Sequence, residues 1–337
     1  MTTRIPFWSP SREYKALRPE IDHAIKDVLE RGDLILRKDV EEFEQKFAQY
    51  VGAKHVIGLN SGTDALYLSL IALGIGKGDE VITTSYTFRA TVDAIMHAGA
   101  TPVVADIGED WTQYRTTRTK AIIPVHIAGE IHEWKPDPEG KILMIEDACQ
   151  AIGAAPIQGT TACYSFYPAK ILGCYGDGGA IATNDDELAG KLRNMRNHYK
   201  GFTGYPGYNS RLDNLQAAIL NAKMPYLVWF VQRRKEIATL YDASLKEVVT
   251  TPKTRFVYQD YIIETKHAAA LHDYLMQRSI QTMLNEYVFP RVCPKKPTCV
   301  EYEKNTLRLP CTPYHTDEEI KEIISAIHDF FLQVHYD

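Results

Sequence analysis

Three short segments of this chain carry side chains whose types and spacing could do chemistry together. The run Ser165-Phe166-Tyr167-Pro168-Ala169-Lys170-Ile171-Leu172-Gly173 presents an amine after an apolar stretch and a proline turn, and Gly176-Asp177-Gly178-Gly179 follows closely. That layout suits a lysine that must hold a bound aldehyde as a Schiff base and then swing away to act as a proton-moving base. Ile145-Glu146-Asp147-Ala148-Cys149-Gln150 supplies a carboxylate, Asp147, at the end of an apolar run. A carboxylate there can pair with a pyridine nitrogen and keep it protonated, while Gln150 can bond a ring oxygen or the substrate. Asn60-Ser61-Gly62-Thr63-Asp64-Ala65 follows a further apolar run and opens a helical pattern. Backbone N–H groups at a helix start attract an anion; Gly62 permits close approach, and Ser61 and Thr63 add hydroxyls.

Each segment alone has a plainer reading: a surface lysine, a capping aspartate, a capped helix. Together, amine, acid and phosphate cup specify pyridoxal 5'-phosphate. Ser165 could donate to the cofactor phosphate, and Phe88 could stack on the ring. His126, at the end of an apolar run, could touch ring or substrate; a satisfied core histidine fits equally.

These residues need a scaffold that gathers strand ends. Residues 19–31 and 38–50 read as amphipathic helices, the second with Val40, Phe43, Phe47 and Tyr50 at helical spacing. Short apolar runs then alternate with helical segments. Strands are expected at His55–Leu59, Glu80–Thr84, Pro102–Asp106, Ala121–Ile127, Ile142–Glu146, Ala162–Tyr167 and Gly179–Thr183. Helices are expected at Asp64–Leu73, Phe88–Ala98 and Asp186–Asn197. The alternation predicts an α/β fold with a mainly parallel sheet covered on both faces, and ligands gather at the carboxyl edge of such sheets. A helical region from Leu212 to about Leu245, kinked or divided at Pro225, leads to a smaller α+β part. That part should hold strands Phe256–Ile263 and Thr306–Leu309, helices His267–Arg278 and Asp317–Val334, and a capping box of Thr316 and Glu319. Pro290–Glu303 is expected to be a mobile loop. The predicted division is residues 1–245 for the large part and 246–337 for the small one.

With 337 residues, 45% hydrophobic and 24% charged, the composition is that of an ordinary globular protein. A net charge of −5 gives no reason to expect nucleic acid. The N-terminal stretch lacks the basic start and apolar run of a signal peptide, and no run of about 18 apolar residues suggests a membrane span. Six cysteines without a Cys-x-x-Cys pair read as reduced thiols of a cytoplasmic protein, with no metal site expected.

The full set of motifs resembles a known family. Asn60–Ala65, Gly74–Val81, Thr87-Phe88, Gly99–Val103, Pro124-Val125-His126, Glu146–Ala154, Ser165–Gly179 and Gly207–Leu212 follow in the order found in the DegT/DnrJ/EryC1/StrS sugar aminotransferases. The resemblance implies a fold-type I pyridoxal phosphate enzyme with a mostly parallel seven-stranded sheet and a small C-terminal α+β domain. It implies a homodimer whose active sites lie between the subunits. It assigns Lys170 as the Schiff-base lysine, Asp147 as the partner of the pyridine nitrogen and Gln150 as a ring-side hydrogen bonder. Gly62, Thr63 and Ser165 match phosphate binders, and Phe88 the stacking aromatic. Asn209 matches a residue reaching the cofactor phosphate of the other subunit, and Arg211 one approaching that subunit's substrate.

The implied reaction moves an amino group, usually from glutamate, to a keto carbon of a nucleotide-linked sugar. Ala128-Gly129 after the His126 strand is more like members acting at C4, which suggests a 4-keto-6-deoxy sugar. The alternatives are a 3-keto sugar, a cyclitol, or a regulatory or binding member without catalysis. A dehydratase of this fold carries histidine in place of the lysine, so Lys170 counts against one. The chain departs from the family in Ile131–Lys141, too short and proline-rich for the usual helix, and in an abbreviated Ala155–Ala162. It also has Ile171 and Arg37 in place of Asn and Gly, and no arginine in Tyr261–Glu264.

Overall fold

The computed structural model describes residues 4–132, 137, 139–154, 156–200, 206–252, 257–285 and 298–334. In chain order the elements are α1 (Pro10–Ala16), α2 (Arg18–Arg31), α3 (Lys38–Val51), β1 (His55–Leu59), α4 (Gly62–Ala72), β2 (Glu80–Thr84), α5 (Arg89–His97), β3 (Thr101–Ala105), β4 (Thr119–Ile123), β5 (Leu143–Asp147), β6 (Thr161–Ser165), β7 (Gly179–Thr183) and α6 (Asp186–Met195). They continue with α7 (Asn214–Lys223), α8 (Leu227–Leu245), β8 (Tyr261–Glu264), α9 (Ala268–Gln277), β9 (Met283–Leu284), α10 (Thr298–Lys304), β10 (Thr306–Leu309) and α11 (Asp317–Val334).

The first seven strands form one sheet in the order β1-β7-β6-β5-β4-β2-β3. Only β7 runs against its neighbours β1 and β6; every other pair is parallel. Side chains alternate between two apolar layers, as the two-residue period of a strand demands. Val56, Ala162, Tyr164, Ala180 and Ala182 pack with α3 and α7 residues Phe43, Phe47, Ala217 and Leu220. Ile57, Cys163 and Ile181 pack on the other face with Leu66 and Leu70 of α4, Ile95 of α5 and Leu192 of α6. This is the predicted covered, mostly parallel α/β sheet. Its strand ends Leu59, Thr84, Ile123, Asp147 and Ser165 lie at one edge, because these strands share a direction.

The second sheet is antiparallel, in the order β8-β10-β9. Its core joins Tyr261, Ile263, Leu307 and Leu309 to Leu271 and Leu275 of α9 and to Ile320, Ile323 and Ile327 of α11. Ile237, Tyr241 and Leu245 of α8 belong to the same core, as does Ile5. The helix before the expected division at residue 246 is therefore shared with the part after it.

The structure also departs from the sequence expectations. The strand expected to run to Ile127 ends at Ile123, because Pro124 has no N–H for a ladder and only Val125 keeps a bridge, to Asp147. β8 starts at Tyr261 rather than Phe256, and residues 253–256 lie outside the described residues. Of the expected loop Pro290–Glu303, residues 290–297 lie outside the described residues and Thr298–Lys304 is helical. Pro225 does divide the long helical region, within a 3-10 turn at Met224–Tyr226. No helix occurs among the described residues of Ile131–Lys141. Helix α1 was not anticipated. Among the described residues no helix is long and apolar enough to cross a membrane.

The capping box forms as expected: the Glu319 N–H donates to Thr316 Oγ1 at 3.2 Å, and the Thr316 N–H to Glu319 Oε2 at 3.1 Å. The same carboxylate takes two bonds from Arg12 of α1, at 2.8 and 2.7 Å. Partial burial opposes ionisation of Glu319, but the bonds from Arg12 and Thr316 and the Arg12 charge outweigh it, leaving its pKa below the ordinary value. A lowered folded pKa stabilises above the unfolded pKa, about 4.3 for glutamate, and the benefit is lost as pH falls through the folded value. Glu319→Gln should therefore cost about 1–2 kcal/mol in urea unfolding at pH 7. The gap between variant and parent should shrink as the pH is lowered below about 4; a gap that does not depend on pH would exclude this linkage.

Candidate active site

A cavity of about 670 Å³ opens at the carboxyl edge of the large sheet, and the second sheet contributes its far wall. Gly62, Thr63, Phe88, His126, Asp147, Gln150, Ser165 and Lys170 all line it. Five of them stand at the end of a strand or the start of a helix, whereas His126, Gln150 and Lys170 lie in the stretches that follow β4, β5 and β6. Asp147 closes β5, Ser165 closes β6, Gly62 opens α4, and Phe88 precedes the first residue of α5.

The anion cup is the start of α4. Ser61 occupies the N-cap, where its Oγ accepts from the Asp64 N–H at 3.1 Å, and Gly62 and Thr63, whose N–H groups have no partner within the helix, line the cavity. The cup exists because side chains are missing. A Cβ on Gly62 would lie 2.8 Å from Cys149 Sγ and 2.9 Å from Ser165 Cβ. A Cβ on Gly179, the first residue of β7, would lie 2.2 Å from the Ser61 carbonyl carbon and 2.5 Å from the Gly62 nitrogen.

Asp147 is 6% exposed and held on both oxygens. Thr91 Oγ1 donates to Oδ2 at 2.6 Å and the Cys149 N–H to Oδ1 at 3.2 Å. Thr87 and Thr91 hydroxyls are 2.8 Å apart, so the Thr91 hydroxyl that α5 presents to the carboxylate is itself paired with Thr87 just before that helix. Burial, and next the charge of Asp147, push the Cys149 thiol well above its ordinary pKa, so it stays neutral beside the carboxylate.

His126 is also buried, but both ring nitrogens are engaged. Nε2 lies 3.1 Å from Glu146 Oε2, and Nδ1 accepts from the His132 N–H at 3.3 Å. Of its two sequence readings the satisfied histidine describes the nitrogens; the ring itself still lines the cavity. Gln150 Oε1 accepts from the Ala128 N–H at 2.6 Å.

Lys170 sits in a tight turn in which its N–H donates to the Tyr167 carbonyl at 2.8 Å. Three residues on, the Gly173 carbonyl accepts from Lys223, a fully buried lysine of α7 that also pairs with Glu13 of α1. Asn209 and Arg211 do not line the cavity of their own chain. Asn209 bridges to Asn197, and Arg211 donates to Asn197 Oδ1 at 3.2 Å.

Several residues in or behind the cavity wall carried no sequence signal. Thr91 follows Thr87 by one helical turn, which is the one spacing that could have suggested it. Arg234 of α8 is 4% exposed. Its Nη1 donates to the carbonyls of Tyr258, Gln259 and Cys311 at 3.1, 3.1 and 2.8 Å. Arg308 of β10 lies 3.3 Å from Asp260 Oδ2, so the second sheet brings an arginine to this wall from β10, although β8 has none. The set fits pyridoxal phosphate: a cup where added Cβ atoms would collide, a buried oriented carboxylate, and an amine in one cavity.

Comparison with known proteins agrees. A family model for the DegT/DnrJ/EryC1/StrS aminotransferase family matches residues 15–328. The chain is 39% identical to a pleiotropic regulatory protein of Geobacillus stearothermophilus, over 97% of this chain and 98% of that one. It is 35% identical to the dTDP-3-amino-3,4,6-trideoxy-alpha-D-glucose transaminase of Streptomyces venezuelae, over 98% and 97%. It is 36% identical to the UDP-2-acetamido-2-deoxy-3-oxo-D-glucuronate aminotransferase of Pseudomonas aeruginosa, over 96% and 99%. Among solved structures, S. venezuelae DesV in complex with a ketimine intermediate superposes with a TM-score of 0.89 at 34% identity, covering 98% of this chain and 99% of that one. The Bacillus subtilis ntda structure with bound cofactor PMP gives 0.88 at 27% identity, covering 98% and 85%.

The close approach at Gly179 generates a test. Gly179→Ala should lower stability by about 2 kcal/mol or more, since the added methyl meets backbone that cannot yield cheaply. It should also weaken retention of pyridoxal phosphate during dialysis. Unchanged stability and retention would mean that the cup tolerates a side chain there.

Proposed function

This chain belongs to the DegT/DnrJ/EryC1/StrS aminotransferase family and is a pyridoxal-phosphate-dependent sugar aminotransferase, and from that premise we propose that it moves an amino group from glutamate to the C3 keto carbon of a nucleotide-linked sugar. The observation that carries this reading is the meeting of Lys170, Asp147 and the α4 start in one cavity with room beside them for a second ligand. The choice of carbon rests on the relatives' printed names. The Streptomyces and Pseudomonas proteins, and one from Aneurinibacillus thermoaerophilus, are all named for chemistry at C3. The Ala128-Gly129 pair, which suggests C4, is the weaker support.

Pyridoxal phosphate supplies an electron sink and carries the amino group between the two half-reactions. The α4 N–H groups, Thr63 and Ser165 would hold its phosphate. Asp147, its carboxylate oriented by Thr91 and the Cys149 N–H, would pair with the pyridine nitrogen and keep a proton there. Gln150 would bond the ring oxygen, and Phe88 would stack on the ring. Lys170 Nζ would anchor the cofactor at rest and, once freed, would take the proton from the α-carbon of glutamate and in the second half deliver one to the sugar carbon. His126 would place its ring against the substrate.

We also propose a homodimer with shared sites. Asn209 and Arg211 lie outside their own chain's cavity and would serve the partner's phosphate and substrate. Phe88 and Tyr167, cavity-lining yet 60% and 52% exposed, gain cover from a second copy. Residues 1–245 form the cofactor-binding part and 246–337 the small domain, with α8 shared between them. The name of the Geobacillus relative favours a second reading, a regulatory protein.

Borohydride reduction followed by peptide mapping should place the reduced cofactor on Lys170; a label elsewhere overturns the assignment. Glutamate alone should bleach the yellow cofactor, and amination should follow with a nucleotide-linked 3-keto sugar rather than its 4-keto isomer. A protein that binds the cofactor but ignores glutamate supports the regulatory reading instead. Lys170→Ala and Asn209→Ala should each be inactive or nearly so alone, yet mixed dimers should recover about a quarter to a half of parental turnover per site pair. No recovery would mean that each chain builds its own site.

A further inference from the structure

One side chain grips the peptide groups on both sides of Lys170. Gln259 Nε2 donates to the Ala169 carbonyl at 3.0 Å, and Gln259 Oε1 accepts the Ile171 N–H at 3.0 Å. Among the described residues no other side chain bonds either group. Gln259 is 9% exposed and lines the cavity. It belongs to the segment that leads into β8, some 90 residues beyond the lysine, so the second sheet reaches back to the lysine turn through it.

The gripping residue is itself fixed. Its N–H donates to the Ala128 carbonyl at 3.1 Å, and its carbonyl accepts from Arg234 Nη1 at 3.1 Å. The Ala128 N–H in turn donates to Gln150 Oε1 at 2.6 Å. A continuous series of bonds therefore runs from Gln150 through the Ala128 peptide and Gln259 to the flanks of Lys170. Glutamine suits the task because its planar amide offers one donor and one acceptor side by side, without a charge to desolvate.

The chemistry makes such a grip matter. A lysine side chain has four flexible torsions, so the position of Nζ is only as well defined as the backbone that carries it. Proton transfer needs that nitrogen within hydrogen-bond reach of its target carbon's proton, and a misplacement of about 1 Å costs on the order of a hundredfold in rate. We propose that Gln259 is a positioning residue for Lys170: by holding residues 169 and 171 it fixes the lysine backbone against the segment leading into β8. The placement of Nζ thereby follows the placement of that segment. The proposal rests on the role of Lys170 given above.

Two variants test it in the cofactor-loaded protein. Gln259→Leu keeps the side-chain size and removes both bonds; Gln259→Glu keeps the acceptor for Ile171 and loses the donor to Ala169. Three readings are taken: hydrogen–deuterium exchange at Ile171, the pH midpoint at which the lysine-bound cofactor changes its absorbance, and kcat and KM for glutamate. Gln259→Leu should speed exchange at Ile171 and move the absorbance midpoint by about half a pH unit or more. It should lower kcat by about 10- to 100-fold while KM stays within about threefold. Gln259→Glu should keep slow exchange at Ile171 and fall between parent and Leu variant in kcat. A loss of melting temperature with an unmoved midpoint and an unmoved kcat would reduce Gln259 to a structural contact and overturn the proposal. If the Leu variant does not fold, the Glu variant decides alone by the same criteria. The borohydride map separates the two levels: a label on Lys170 with parental behaviour in both Gln259 variants defeats this proposal only, whereas a label elsewhere defeats the functional reading.

Discussion

The site depends on two residues that have no side chains meeting where β7 turns back along the sheet. Gly179 passes so close to the Ser61–Gly62 peptide that no methyl fits between them, and a Cβ on Gly62 would also be too near Cys149 and Ser165. This contact sets the distance between the start of α4 and the ends of β5 and β6. The reversal of β7 is what makes the meeting possible, because a strand leaving this edge follows directly on the lysine turn that arrives at it. The anion cup, the carboxylate of Asp147 and the amine of Lys170 are therefore brought together by one packing constraint.

Around that contact lies a layer of buried cations bonded to backbone carbonyls and, for Lys223 and Arg196, to carboxylates as well. Arg234 gives three bonds to carbonyls, and Lys223 gives one to Gly173 and pairs with Glu13. Arg196 of the β1 face bonds both Glu44 and the Gly58 carbonyl, while Glu44 accepts the Gly58 N–H at 2.8 Å. Burying a cation is costly unless its hydrogen-bonding groups are matched. Burial accordingly pushes the Arg234 pKa downward. Removing either partner of such a pair leaves an uncompensated group, so these residues hold loops in single arrangements more than they add stability. Each one fastens a piece of backbone close to the site: the lead-in to β8, the lysine turn, or the end of β1.

How much of this was legible in the sequence follows from range. β1, β2 and β7 are local apolar runs with β-branched or small residues, and they were readable to the residue. The Thr316–Glu319 box spans three residues and was readable for the same reason. Asp147, Lys170 and Gly62 were found because each stands beside an apolar run that ends at the sheet edge. Arg234, Gln259 and Lys223 were not. Their polar side chains fall in helical patterns or, for Gln259, in an expected strand, and what buries them arrives from 24 to 210 positions away. Ile123, where β4 stops, was misjudged because the apolar character continues through Val125 and Ile127 although Pro124 cannot pair. The difference is between signals written in neighbouring residues and partnerships created only by the tertiary fold.

Helix α1 illustrates what those partnerships entail. Its Glu13 completes the anchor of Lys223 beneath Gly173, and its Arg12 clasps the start of α11, so seven residues near the amino end brace both the lysine turn and the last helix. Trimming or fusing the chain at that end is usually treated as an innocent edit. Here, removing helix α1 would loosen the footing of the turn that carries the amine.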